Sequence, residues 1–554
     1  VRKTILSMLA LVGLLAGSQA RAVAQADDTP PPLAVVSIAS YDTWMANLDY
    51  LGELQGKPYR MLVEGVLRLF TGGEGLQGWE KDKPAGVIVG GVAGGVTFVP
   101  VSDLDKFLQA LAAFELKTKD VGEGVIEVEA NDGQRLYLKS QEGWVWMGRS
   151  AFSLQNLPKD PVKLLGGLNE SYDIAGRVNF QSIPAPLLEM ALGSMRQGAE
   201  DFLQPEPDES DEEFKARKEM VLAQIDSVKT ALKDLDQLTI GLKIDRKIKK
   251  AFLEFEVTFQ KGSKSAQQFA EARDIRTNFR GFREDDALFS LGIVGPIQGE
   301  EKDQLSNMLN QFRARAKKEI RKLDDLKDDA ARAQVEQVVN GLIDNLQAAL
   351  DTGTIDTGAA LVGDGPHDLV IGLGVEDGKK AASNLLAGIE MLRDYGVVST
   401  EEAEVTEKGG VRFESFALTL PAEVAKDLNP IFGEGARLVV ASDPQGVYAG
   451  MGETVVKSLQ KAIEDSKAGT SKAAKPLEAT LSLTRLIKAS AKGDTDNPAL
   501  AVLANAKIEP GTDIIRIEER FTENGGSFRI EASEGVLKLI GAAANEAGRQ
   551  APQF

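Results

Sequence analysis

"GQRLYLKSQEGWVWMG" runs from Gly133 to Gly148, and "GARLVVASDPQGVYAGMG" runs from Gly435 to Gly452. Both open Gly-x-Arg-Leu, reach a serine, turn through a glycine or its neighbour and close on Met-Gly. Each reads as two short strands around a tight turn. Such a recurrence is either a binding signature used twice or the trace of a chain built twice. The flanking sequence decides between them, because the match extends in both directions.

Upstream, "VTFVPVSDLDKFLQALAAF" (Val96 to Phe114) stands opposite "LVIGLGVEDGKKAASNLLAGIEML" (Leu369 to Leu392). Each is an apolar strand, an aspartate near a helix start, and a helix. Leu104, Phe107, Leu108 and Leu111 share one helical face, as do Leu385, Leu386, Ile389 and Leu392, because they recur at spacings of three and four. Ser102 or Asp103, and Asp377, are the expected N-caps. Further upstream "KPAGVIVGG" (from Lys83) faces "TGAALVGDG" (from Thr357), and "LAVVSIASYDTWMANL" (from Leu33) faces "ALFSLGIVGPIQGEEKDQLSNML" (from Ala287). Downstream, "YDIAGRVNF" (from Tyr172) pairs with "LEATLSLTRL" (from Leu477), and "QLTIGLKIDRKIKKAFLEFEVTF" (from Gln237) with "DIIRIEERFTENGGSFRIEAS" (from Asp513).

The expected organisation follows: a signal peptide at 1–26, a linker at 27–32, a first α+β repeat at 33–280, a second at 286–545 and a tail at 546–554. Each repeat is expected to be a mixed, mainly antiparallel sheet with helices packed on it, since helices alternate with adjacent strand pairs. "GVIEVEA", "RLYLKS" and "GWVWMG" follow one another with only Asn-Asp-Gly and Gln-Glu-Gly between them. A long charged helical insertion at about 301–350 interrupts the second repeat. Its ends are amphipathic (Leu305, Met308, Leu309, Phe312; then Val335, Val338, Val339, Leu342), so two packed helices joined by a solvated extension are expected. "QPEPDESDEEFKARKEM" (Gln204 to Met220) reads as an acidic loop running into a charged helix.

At 554 residues the chain exceeds one ordinary core, and roughly two to four domains are expected. Its 43 % apolar and 27 % charged residues are those of a globular protein. With 83 acidic against 64 basic residues the net charge is −19, which argues against nucleic-acid partners and anionic membranes. A dense basic run, "KIDRKIKK" (Lys243 to Lys250), lies between two strands and reads as a solvated hairpin turn.

The N-terminus "VRKTILSMLALVGLLAGSQARAVAQADD" has basic residues Arg2 and Lys3, an apolar run from Ile5 to about Leu15, and small-residue sites for cleavage after Ala22, Ala24 or Ala26. That is the grammar of a secretory signal peptide. The apolar run falls short of the roughly 20 residues a spanning helix needs. A periplasmic or extracellular location, with no integral membrane span in the mature chain, is the expectation.

Composition removes most catalytic chemistries. There is no cysteine, so disulfides, thiolate nucleophiles and cysteine-ligated metals are excluded. The single histidine, His367, stands in "GDGPHDLVIGLG" at a strand entrance and reads as structural. "GLGVEDG" (Gly372 to Gly378) opens a helix after a strand, but its spacing is wrong for a dinucleotide turn, and its glycines read as relieving strand packing. No catalytic residue, cofactor site or metal site is assigned. "GDTDNPAL" (Gly493 to Leu500) and "DESDEEF" (Asp208 to Phe214) offer closely spaced oxygens without a complete calcium loop, which leaves a weak calcium site open. Trp144 and Trp146 fall on one face of a strand with Val145 on the other. The pair could contact a ligand or partner, although filling the core beneath a helix is the commoner use of such rings. Val447 and Ala449 stand near these places in the second repeat.

The order "PPLAVVSIASYDTWMANLDYLGEL", "KPAGVIVGG", "VTFVPVSDL" and "QLTIGLKID" resembles a family of uncharacterised exported proteins of planctomycete-type bacteria. The resemblance implies export and brings neither an activity nor a site residue. The leading expectation is a non-catalytic binding or scaffold protein of the cell envelope, whose partner is another envelope protein, a polymer or an apolar molecule. The alternatives are a carboxylate-dependent hydrolase of an extracellular polymer and a periplasmic carrier of an apolar ligand.

Overall fold

The computed structural model describes residues 31–550 except 72, 74, 91–93, 112–115, 131–132, 206–209, 285–286, 298, 323–328, 395, 400–402, 470–472 and 494–502. The expected signal peptide, most of the linker and the last residues of the tail lie outside the described residues. So do nearly all of "GDTDNPAL" and the start of "DESDEEF". The chain divides into two compact units, residues 1–269 with 523–527 and residues 270–522 with 528–554.

Among the described residues the first unit has ten strands: β1 (Ala34–Ile38), β2 (Ala85–Val89), β3 (Gly95–Pro100), β4 (Lys117–Gly122), β5 (Val125–Glu129), β6 (Arg135–Gln141), β7 (Trp144–Gly148), β8 (Ile174–Asn179), β9 (Leu235–Asp245) and β10 (Lys250–Phe259). They lie in the order β4-β5-β6-β7-β3-β2-β1-β8-β9-β10, antiparallel at every step. The β6–β7 turn places Glu142 at φ 51° and Gly143 at φ 79°, the two-residue geometry whose twist matches the flanking strands. The edge strand β4 is exposed along its whole length, and Lys117, Lys119 and Asp120 make it a poor template for further pairing.

The second unit has β11 (Phe289–Pro296), β12 (Thr354–Val362), β13 (Asp368–Gly374), β14 (Glu404–Lys408), β15 (Val411–Ala417), β16 (Arg437–Asp443), β17 (Gly446–Gly452), β18 (Leu477–Ser482), β19 (Ile514–Phe521) and, from Phe528 onward, β20 (Gly525–Ser533). Their order is β14-β15-β16-β17-β13-β12-β11-β18-β19-β20, again antiparallel. Strand by strand, this is the order of the first unit. The protein is α+β, with antiparallel sheets throughout its described strands.

Alternation along each strand gives every sheet two faces. In the first unit one face carries Val35, Ile88, Phe98, Trp144, Trp146, Ala175 and Phe252, sealed by Leu154, Leu165, Leu168 and Tyr172. These come from short helical turns at Ala151–Leu154, Pro161–Leu165 and Leu168–Ser171. The other face is covered at one end by the helix Leu104–Leu111, whose Phe107 packs with Val99, Val128, Leu138 and Val145. Asp103 caps that helix by accepting from Lys106 N, and Asp377 accepts from Lys380 N at the helix Gly378–Asp394.

In the second unit Phe279 and Phe282 lie in the core with Tyr448, Val455 and Leu459. Residues 270–280, read from sequence with the first repeat, therefore belong with the second unit. Gly358 and Gly372 form the floor beneath these rings: a Cβ at Gly372 would come within 2.5 Å of Phe279 Cδ1, and one at Gly358 within 2.6 Å of Phe282 Cβ. The charged insertion forms two helices, Glu300–Lys322 and Asp329–Asp351. Ser306 meets Gln347, Arg313 meets Asp344 and Lys317 meets Glu336, so the helices run antiparallel. Met308, Phe312 and Leu342, expected to be packed, are exposed together with Leu346, whereas Ile320, Gly341, Ile343, Asn345, Ala349 and Leu350 are buried.

Candidate functional site

Trp144 and Trp146 are core residues. Trp146 is 0 % exposed, with its ring centroid 5.5 Å from Phe98, and Trp144 meets the same ring edge-on at 5.4 Å. Val145 points to the opposite face, as alternation requires. The rings therefore present no surface to a ligand. Pairing registers also correct the match with the second unit. Thr97 opposes Met147 in the first, and Ile371 opposes Ala449 in the second. Gly446 and Tyr448, rather than Val447 and Ala449, thus occupy the places of Trp144 and Trp146. Tyr448 fills its core place by stacking on Phe282, and burial, helped by the neighbouring Asp443, pushes its hydroxyl pKa well up.

The matched arginines of the opening motif make ion pairs with carboxylates of adjacent or nearby strands. Arg135 reaches Glu129 at 3.1 Å, and Arg437 reaches Glu404 at 3.2 Å and Ser415 at 2.6 Å. His367 is buried, with Nδ1 2.9 Å from Gly363 O.

The buried carboxylates are engaged in holding backbone and loops. Asp173 accepts from Asn47 Nδ2 and Ile244 N; Asp356 from Thr277 Oγ1 and Asn278 N; Asp368 from Thr454 and Ser458; Asp513 from Ser482 and Thr484 N; Glu254 from Tyr172 Oη. Among the described residues no group of acids and histidine is arranged to hold a metal ion.

Asp513 and a further buried acid, Glu518, tie stability to pH. Burial alone would raise Asp513 and Glu518, but hydrogen bonds from Ser482 and Thr484, and from Lys475 with the charge of Arg520, hold both below the usual range. A depressed folded pKa contributes stability above the unfolded value, and that stability is lost as pH falls through the folded one. Acidification from about pH 5 to about pH 3 is therefore expected to lower the melting temperature of the second unit, with a shallower slope in Glu518→Gln. Calorimetry at stepped pH checks this; equal slopes in both proteins would refute it.

The surface that stands out lies on the first unit's sheet, opposite the face that Tyr172 seals. Registers across β1, β8, β9 and β10 place Ile38, Ile174, Leu242 and Leu253 in one row. Val36, Gly176, Ile240 and Phe255 form the next, and Ala34, Val178, Leu238 and Val257 the one after. No side chain in these rows carries a polar atom. Yet the rows are not sealed, because Ile174, Ile240, Leu242 and Phe255 stay exposed, from 36 % at Phe255 to 42 % at Ile240. Contiguous exposed apolar surface of this kind marks an interaction site in a soluble protein.

Gly176 shapes the middle row. A Cβ there would meet nothing nearer than Val35 O at 4.0 Å, so packing does not demand glycine. Gly86 and Gly241 differ: a Cβ would strike Phe98 at 2.7 Å or Tyr172 at 2.3 Å. Those two make room for core rings, whereas Gly176 leaves a notch in the open face between Val36 and Ile240. The same side of the second unit's sheet carries half-buried Leu291, Ala359, Ala479 and Ile517, with Ile293 and Ile371 exposed.

No protein-family model, curated protein or solved structure matches this chain. Among the described residues the three rows carry no acid, base or nucleophile, so their chemistry is the removal of apolar surface from water, worth about 25 cal/mol per Å². Sequence patterning contained this signal in the alternation of "QLTIGLKID" and "KAFLEFEVTF", but the alternation does not say which face is covered.

Proposed function

We propose that this chain is an exported, non-catalytic binding protein of the cell envelope, made of two tandem copies of one α+β unit. The open aliphatic face of β1, β8, β9 and β10 takes up an apolar ligand. The observation that carries this reading is a set of three rows of apolar side chains in register, in which Ile174, Ile240, Leu242 and Phe255 stay exposed. Export is supported by the basic, apolar and small-residue order of the first 26 residues. Duplication is supported by the identical strand orders and by sequence matches that fall on corresponding strands. A binding role is favoured over a hydrolase because the buried acids named above are engaged in hydrogen bonds, and the open face carries no acid in its rows.

Nile red, a neutral dye that brightens in apolar surroundings, tests the proposal. Ile240→Asp is expected to weaken saturable dye binding at least about tenfold without moving the melting temperature, because the residue is exposed. Gly176→Val fills the notch with a good strand former, so it is expected to leave the fold as stable or more so while also weakening binding. Dye binding by both variants equal to that of the parent would overturn the reading.

A further inference from the structure

The open face ends at a dense basic run in an acidic chain. Its apolar track continues along β9 from Leu238 through Ile240 and Leu242 to Ile244, paired with Ala251 on β10. There the strands turn through Arg246, Lys247, Ile248 and Lys249, all exposed. Asp245, the carboxylate within the run, is engaged by the turn itself, since its Oδ1 accepts from Lys247 N and Ile248 N. Asp173, whose charge acts on Arg246, is buried and engaged by Asn47 and Ile244 N. The tip is therefore cationic, on a chain whose net charge is −19. Ile248 keeps apolar surface exposed among the charges.

Resting on the reading of the face as an apolar-ligand site, we propose that its ligand is an anionic amphiphile. The hydrocarbon chain lies along the rows and the acidic head sits at the β9–β10 turn against Arg246 and Lys247. The strand from Leu238 to Ile244 spans about 20 Å, the reach of an extended fatty acyl chain. A purely apolar partner has no use for a cationic end, and a purely anionic one has no use for the aliphatic rows. The occupant that matches both is a molecule with one of each.

The full-length protein is titrated calorimetrically with dodecanoate and with dodecyltrimethylammonium, which share a chain length and differ in head charge, each below its micellar range. Dodecanoate is expected to bind at least about tenfold more tightly, with the preference weakening in high salt. The double variant Arg246→Glu plus Lys247→Glu is expected to lose the preference while keeping chain-driven binding, and Ile240→Asp to weaken both ligands. Equal binding of the two amphiphiles, or a preference untouched by the charge reversal, would overturn the anionic head and leave the apolar face standing. Binding of neither would overturn the apolar face as well.

Discussion

Replacing Trp146 by alanine is expected to destabilise the first unit by about 3–5 kcal/mol. The side chain is fully buried, lies against Phe98 and shares its cluster with Val35, Leu154 and Tyr172. Neighbours on a sheet cannot close the gap that an indole leaves, because strand spacing is fixed by the hydrogen-bond ladder, so a cavity term adds to the lost transfer energy. All four tryptophans, Trp44, Trp79, Trp144 and Trp146, belong to the first unit, so tryptophan fluorescence during urea unfolding reports that unit alone. That separation matters because a chain of two compact units need not unfold in one step. The expected result is an earlier fluorescence midpoint with Trp44, Trp79 and Trp144 still reporting. An unchanged midpoint would remove Trp146 from the core and reopen it as a ligand contact.

The placement of Trp146 also shows how far the sequence could be read. Alternation put Trp144 and Trp146 on one face and Val145 on the other, and spacing put Leu104, Phe107 and Leu108 on one helical face; side-chain direction follows from local geometry, so both readings needed only local information. Asp103 and Asp377 were legible as caps for the same reason. The fine register between the two hairpins was not. Gly-x-Arg-Leu and Met-Gly lie two residues further apart in the second stretch, and the chain absorbs the difference by lengthening β17 beyond β7. Matching from the arginine onward sets Tyr448 opposite Trp146; anchoring on both ends shifts it. The open face was hidden for a different reason. On β9 the residues Leu238, Ile240 and Leu242 have the pattern of a buried face, while Thr239 and Gly241 have that of a solvated one. Tyr172 lies over Gly241 and Thr239 is buried, so the polar-looking side is the sealed one. The segment that seals it is a run of short turns between Ala151 and Ser171, which has no period to read.

Lys475→Met is expected to cost the second unit about 3 kcal/mol at neutral pH and to reverse the direction of its pH dependence. Glu478 and Glu518 stand directly opposite each other on β18 and β19, an arrangement that like charges make unfavourable. Lys475 Nζ reaches both, at 2.7 Å and 2.6 Å, and so converts a repulsion into a clamp. Arg516 reaches Glu478 at 3.0 Å and Arg520 pairs with Glu518, but among the described ion pairs Lys475 alone joins the two acids. Methionine keeps the length and apolar stem and removes the charge. The two carboxylates then face each other in a site where Glu518 is almost fully enclosed, and the pair holds a proton more readily folded than unfolded. A raised folded pKa makes stability increase as pH falls, the opposite of the parent, in which Glu518 is held low. Calorimetry at about pH 7 and about pH 5 is therefore expected to show the variant gaining on the parent as acid is added. Adding Glu518→Gln to Lys475→Met removes the facing charges and is expected to recover much of the loss at neutral pH, because an unpaired buried charge costs more than an absent one. A double variant no more stable than Lys475→Met would mean that the lysine's packing, and not its charge, holds β18 against β19.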